Sequence, residues 1–323
     1  MTTSHQRPPM ILNAEQIRPL LAGLPLAATL RSLFAALADE QAVQPAQTLT
    51  LFPQGSGDFI TYQGVLASEQ VFGAKLSPYI VTGGKPVITA WTALMSMQTG
   101  QPLLFCDAGE LTAERTAGTT ALAVDELAPA DSRVLVLIGC GALGQAHLRH
   151  ALPLRDWREV RVYAPDLAAN PALQQQLSAL DARVRCCDSL AAATDGADVI
   201  MLCTSSAAAV LDPATLGKPA LITSISTNAV NAHEVPPESL AGMDVYCDHA
   251  ASTPGRAGEM VLAAERGCWH PVALCGDLAA LVSGRAPRPD YSRHVFFRSI
   301  GMGLQDVAIA HAIWQRHAAT CPA

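Results

Sequence analysis

Residues 133 to 166 read RVLVLIGCGALGQAHLRHALPLRDWREVRVYAPD. An apolar run, Val134 to Ile138, leads into Gly139-Cys140-Gly141-Ala142-Leu143-Gly144. A helical pattern follows, and then a second β-rich run, Val160 to Tyr163. In such a unit the first glycine lets the chain turn sharply. The second lets the backbone approach a pyrophosphate, and the third lets the helix pack close to the strand. The free N–H groups at the helix start, around Ala142 and Leu143, then face the anion. A lone GxGxxG is weak evidence, and a glycine-rich turn that binds nothing is the bland alternative. Strand before, helix after and strand again is the context that selects dinucleotide binding.

An NAD-reading acid usually stands about 20 residues past the glycines. Ala164 occupies that place, Asp166 follows two residues later, and no arginine follows the strand to take a 2′-phosphate. Asp166 is the candidate ribose reader, and the choice between NAD and NADP stays open. Val199 to Cys203, Ala220 to Ser226 and Val245 to Cys247 read as further buried strands between helical patterns. That alternation predicts a doubly wound parallel sheet, an α/β Rossmann domain. Thr204 and Ser205, where the chain leaves the first of these strands, are candidate cofactor contacts. So are Ser299 and Gly301, at the start of the last element.

The remaining chain has a different pattern. Met10-Ile11-Leu12 reads as a strand, and Asn13 with Gln16 has the form of a capping box. Leu26, Leu30, Leu33, Phe34 and Leu37 recur at helical spacing. Thr48 to Phe52, Phe59 to Tyr62, Val71 to Val81 and Val87 to Met97 read as strands of an antiparallel sheet, so this part is α+β. Thr112 is placed to cap a helix running to about Leu127. Phe296 to about His317 reads as a final apolar helix.

Composition narrows the function. At 323 residues the chain suits two domains, and half of its residues are hydrophobic. The net charge of −7 and the lack of a Lys/Arg-rich run argue against nucleic acid. No stretch reaches the roughly 18 consecutive apolar residues of a membrane span. The nine cysteines form no CxxC pair. This pattern predicts free thiols in a reducing cytoplasm, with Cys186-Cys187 as ordinary strand residues.

Two cations stand out. Arg115 falls in the first turn of its expected helix, where the macrodipole disfavours positive charge. The position suits a carboxylate receptor or an interdomain salt bridge. Lys75 lies mid-strand in VFGAKLSPY, as a solvent-facing edge protector, a second carboxylate ligand or a proton donor. His147 and His150 lack acidic or cysteine companions and read as surface histidines of a helix, not as a metal site. Asn228, where the chain leaves a parallel strand, lies nearest the cofactor crevice.

GAKLSP around Lys75, LTAERTAGTTALA around Arg115, LIGCGALGQAHL at 137 to 148 and FFRSIGMGLQDVA at 296 to 308 occur in order. Over nearly its whole length the chain resembles the ornithine cyclodeaminase and mu-crystallin family. The resemblance implies a substrate-binding and dimerisation domain from residues 1–115 and 296–323, with the Rossmann domain at 116–295. It also implies a homodimer in which Lys75 and Arg115 hold a substrate α-carboxylate beneath the nicotinamide. Two departures matter. Gln47 stands where family cyclodeaminases carry an arginine, and Asn228 stands where they carry a basic aspartate. Asparagine keeps the shape but cannot take a proton, which leaves His233 and Glu234 as the next candidates for a base. The expected activity is therefore NAD(P)H-dependent reduction of a cyclic imino acid, pyrroline- or piperideine-2-carboxylate. Lys75, Arg115 and Asn228 would be the substrate-site residues. Ornithine cyclodeamination, another amino-acid dehydrogenation, or nicotinamide binding without catalysis are the alternatives.

Overall fold

A computed structural model describes residues 8–226 and 229–320. Asn228 lies outside the described residues. The chain divides into two compact units, residues 1–115 with 301–323, and residues 116–300.

The first unit opens with β1 (Met10–Leu12), α1 (Ala14–Ala22) and α2 (Leu26–Ala38). Asn13 and Gln16 form the expected capping box, each side chain bonding the other's backbone N–H at 3.0 Å. The sheet then runs through β2 (Ala42–Val43), β3 (Thr48–Leu51), β4 (Gly57–Leu66), β5 (Val71–Ile80), β6 (Val87–Ile88), β7 (Trp91–Ser96) and β8 (Pro102–Asp107). Its main order is β1-β8-β7-β5-β4-β2, antiparallel except where β1 runs parallel to β8. The expected single strand from Val87 to Met97 is two, because β6 and β7 are separated at Thr89-Ala90. α3 (Gly109–Leu127) follows. It opens earlier than expected. The Ala108 carbonyl accepts from Thr112 N at 2.9 Å, and Asp107 Oδ1 accepts from Gly109 N at 2.9 Å. Thr112 is thus inside the helix, not its cap, and Arg115 sits in the second turn, not the first.

The second unit is built on β9 (Val134–Ile138), α4 (Ala142–Ala151), β10 (Glu159–Tyr163), α5 (Pro171–Ser178), β11 (Val184–Cys186), α6 (Leu190–Thr194), β12 (Val199–Leu202) and β13 (Leu221–Ser224). β14 (Met243–Cys247), α7 (Gly258–Glu265), β15 (Gly276–Asp277), α8 (Leu278–Val282) and β16 (His294–Arg298) complete it. Every pairing in its sheet is parallel, in the order β11-β10-β9-β12-β13-β16-β14-β15. The order reverses direction between β9 and β12, the switch point at which such sheets bind ligands beyond their carboxyl ends.

β16 corrects the sequence reading, which assigned Phe296 onward to a helix. Val295, Phe296 and Phe297 are fully buried, as expected of a strand covered on both faces. A short apolar run has no periodicity to separate that state from a buried helix. The final helix, α9 (Gly303–Thr320), begins only after Gly301 and belongs to the first unit, where it packs on β4 and β5. The approach is close. A Cβ on Gly64 would lie 2.6 Å from Leu304 Cα, and one on Gly303 would lie 2.4 Å from the Gln63 carbonyl oxygen.

His147 also departs from expectation, being buried instead of on the helix surface. Its Nδ1 lies 2.8 Å from the Leu143 carbonyl, which can only accept, so Nδ1 carries the proton. Nε2 lies 3.0 Å from the Thr120 hydroxyl, which also reaches the Thr116 carbonyl at 3.3 Å. No single helix among the described residues is long and apolar enough to cross a membrane.

Candidate functional site

In the second unit the site starts from the turn after β9. Gly139 has φ +94°, and a Cβ there would come 2.5 Å from the Cys203 carbonyl oxygen, at the end of β12. A Cβ on Gly144 would meet the Gly139 carbonyl at 2.1 Å, so only glycine lets α4 press onto the turn. Gly141 differs. A Cβ there would meet nothing within 4 Å, because the residue borders a cavity of about 700 Å³. Gly141 is also the N-cap of α4 and offers no side chain to the first-turn N–H groups at Ala142 and Leu143. Those donors and the positive end of the helix favour an anion.

The same cavity is bordered by Asp166 beyond β10 and by Thr204 and Ser205 beyond β12. Gly139, Gly141, Asp166, Thr204 and Ser205 are therefore brought together. Gly144 stands behind the turn. A glycine turn open to the cavity, an uncapped helix start and an acid past the second strand fit a dinucleotide. Ser299 is placed differently. Its buried hydroxyl donates to Asp248 Oδ2 at 2.8 Å, and it is not among the residues lining the cavity.

Glu234 has a structural task here. Its Oε1 accepts from Thr204 N and Oγ1 at 2.8 and 2.7 Å. Its Oε2 accepts from Ser224 Oγ and Ser226 N at 2.7 and 2.9 Å. The fully buried carboxylate thus ties the end of β12 to the end of β13. An acid saturated by four donors is a poor candidate for a base. His233 Nδ1 is likewise occupied, 2.8 Å from the Asn231 carbonyl.

In the first unit, Lys75 is not the solvent-facing residue that mid-strand lysines usually are. It is 2% exposed, and its Nζ lies 3.1 Å from Asp306 Oδ2, 3.4 Å from Thr112 Oγ1 and 4.3 Å from the centre of the Tyr62 ring. Burial pushes the Lys75 ammonium down to about 8. The nearby Arg115 charge adds to the fall and Asp306 opposes it. Arg115, also buried, places Nε 3.3 Å from Asp306 Oδ1 and donates from Nη1 to Gln305 Oε1 at 3.1 Å. Gly301, with φ +80°, leaves room for this guanidinium. A Cβ there would lie 2.5 Å from Nη1. Two cations from β5 and α3 thus share one carboxylate from α9.

Sequence reasoning passed over Gln305 and Asp306, although an aspartate inside the apolar run LQDVAIAHAI was a visible signal. It also gave no role to Tyr62 or to the clasp made by Glu234. No cluster of metal-binding side chains occurs among the described residues. The described cysteines are free thiols.

The parallel sheet, its switch point and its glycine turn define a dinucleotide-binding protein. Comparison with known sequences then places it: the profile of the ornithine cyclodeaminase/mu-crystallin family matches residues 9–320, and the chain belongs to that family. An NAD(P)H-dependent anabolic L-arginine dehydrogenase of Pseudomonas aeruginosa is 58% identical to it, covering 95% of this chain and 97% of the relative. The ketimine reductase mu-crystallin of Mus musculus is 23% identical, covering 96% and 97%. Among solved structures, the Thermococcus litoralis Δ1-pyrroline-2-carboxylate reductase in complex with NADH and L-proline superposes with a TM-score of 0.85. It is 20% identical, with 96% of this chain and 98% of that one covered. The iminosuccinate reductase of Paracoccus denitrificans with NAD+ gives 0.87 at 24% identity, covering 97% and 98%. These two establish likeness of fold. The chain is an NAD(P)-dependent oxidoreductase of its family.

Proposed function

We propose that the protein interconverts an α-amino acid and its 2-imino acid, with L-arginine or a close analogue as the amino acid. The observation that carries the reading is the sharing of Asp306 by two buried cations, Lys75 and Arg115. Both cations lie against one buried carboxylate, and a substrate carboxylate suits the same pair. The planar fork of Arg115 can bind both carboxylate oxygens, while the Lys75 ammonium acts as a point charge. Held this way, a 2-imino acid is oriented and its negative charge balanced before reaction. The bound reduced nicotinamide supplies the hydride. Lys75, with its ammonium near 8, can also pass a proton close to neutrality, which Asn228 cannot.

The sequence alone favoured a cyclic imino acid. The choice of an open-chain substrate is supported by the 58% identity to a relative described as an L-arginine dehydrogenase. Both substrates bear the same carboxylate beside the same type of reacting carbon, so the cluster suits either. A panel separates them. L-Arginine, L-ornithine and L-alanine are offered with NAD+ and NADP+, and pyrroline- and piperideine-2-carboxylate with NADH and NADPH. L-Arginine oxidation should be the most efficient reaction, with conversion of ornithine to proline absent or slower by orders of magnitude. Efficient turnover of the cyclic imines alone, or of ornithine to proline, would overturn the proposal.

A further inference from the structure

We infer that Gln305 is a third substrate-binding side chain, and that its amide nitrogen donates to the substrate carboxylate. This rests on the proposal that the first unit receives a carboxylate at Lys75 and Arg115. Gln305 is fully buried at the start of α9, beside Asp306. Its amide has one allowed orientation. The oxygen Oε1 accepts from Arg115 Nη1 at 3.1 Å and from the Met302 backbone N–H at 3.3 Å. Both partners are obligate donors, so turning the amide over would set two N–H groups against two more. Nε2 must therefore carry its two N–H bonds away from Arg115 and Met302, and it meets no hydrogen-bond acceptor in the protein.

A buried amide nitrogen without an acceptor is unfavourable, and nearly all buried donors in folded proteins find one. The surroundings specify what would satisfy it. The amide that holds Arg115 on its oxygen side carries the unused donor on its other side. Arg115 in turn shares Asp306 with Lys75. A substrate carboxylate bound at Lys75 and Arg115 would bring an acceptor beside the amide that Arg115 itself contacts, so that the donors offered are one guanidinium, one ammonium and one amide. A carboxylate, with two oxygens and about four lone-pair sites, can use all three at once.

Two substitutions separate this role from simple support of Arg115. Gln305→Glu is nearly isosteric and keeps an oxygen for Arg115 Nη1 and Met302 N, but it replaces the donor with a second oxygen. Gln305→Met keeps the approximate volume and removes both polar atoms. KM and kcat are measured with L-arginine and NAD+, and with pyrroline-2-carboxylate and NADH. NADH affinity is followed by fluorescence and folding by thermal melting, with Arg115→Ala alongside. KM should rise roughly 10- to 100-fold in Gln305→Met and at least as far in Gln305→Glu, with NADH affinity unchanged. An unchanged KM in Gln305→Glu, while Arg115→Ala is impaired, overturns the inference and leaves the functional reading standing. So does a damaged Gln305→Met beside a normal Gln305→Glu, which would make the residue only a support for Arg115. If Gln305→Met fails to fold, the KM of Gln305→Glu decides; if Gln305→Glu fails to fold, an unchanged KM in Gln305→Met overturns the inference. A wild-type protein that turns over neither probe overturns both the functional reading and this inference.

Discussion

The two units carry their sites in opposite ways. The dinucleotide turn of the second unit is written in one unbroken stretch, in which Gly144 answers a demand from within the same strand–turn–helix, Gly141 borders the cavity and Gly139 alone answers to a neighbouring strand, at Cys203. The cation cluster of the first unit is assembled from β5, the second turn of α3 and the first turn of α9. Local geometry dictates the first site. Tertiary packing dictates the second. The difference sets what a single substitution should do, because a turn offers its ligand mainly backbone whereas the cluster holds buried charges that depend on one another.

The largest effect is expected at Gly141. A Cβ there meets no protein atom within 4 Å and borders the cavity, so Gly141→Val should keep its fold while cofactor binding is abolished. Fluorescence titration with NADH and NADPH reads this out. Unchanged affinity would remove the turn from the cofactor site.

Asp306→Asn tests the cluster through stability. It leaves the buried Lys75 and Arg115 without their shared carboxylate, a change of the kind that costs about 3–5 kcal/mol. Denaturant unfolding should show a loss of that order. A variant as stable as the wild type would mean that the cations are not held by Asp306.

A smaller effect follows from the Lys75 ammonium, lowered from its usual 10.5 to about 8. The protonated form binds a carboxylate, so affinity for one should fall as pH rises through about 8, by up to tenfold per pH unit. Pyruvate, which titrates nowhere in that window, is a suitable probe. Stability moves the other way. The cost of burying this charge is fully present below about 8. It is relieved as pH climbs from 8 toward 10.5, because the unfolded chain binds the extra proton there. Pyruvate affinity that stays flat between pH 7 and 9.5 would exclude Lys75 as a ligand.

The same contrast explains what could be read before folding. The parallel sheet and its turn were legible because glycine spacing and strand–helix alternation are local signals. Lys75 and Arg115 stood out in sequence as candidate carboxylate ligands, Arg115 on a first-turn placement that the structure moves to the second turn, and the family resemblance added their expected task. Their pairing with a partner was not visible. Nothing near Lys75 in sequence announces Asp306, which reaches it because Gly64 and Gly303 let α9 approach β4 closely. The clasp made by Glu234 was hidden for a related reason, since its four donors come from the ends of two strands. Phe296 to Arg298 was assigned to a helix because a short apolar run looks the same in a buried strand.

On the proposed reading, the first unit binds a substrate carboxylate through cations, independently of the dinucleotide turn. Arg115→Ala tests it most directly, with kcat/KM measured for L-arginine oxidation and NADH affinity measured on the same preparation. Losing one partner of a closed charge-assisted contact costs roughly 2–5 kcal/mol, so kcat/KM should fall by about 30-fold to several thousandfold while NADH affinity stays unchanged. Normal turnover by Arg115→Ala, or loss of NADH binding in step with activity, would contradict the account.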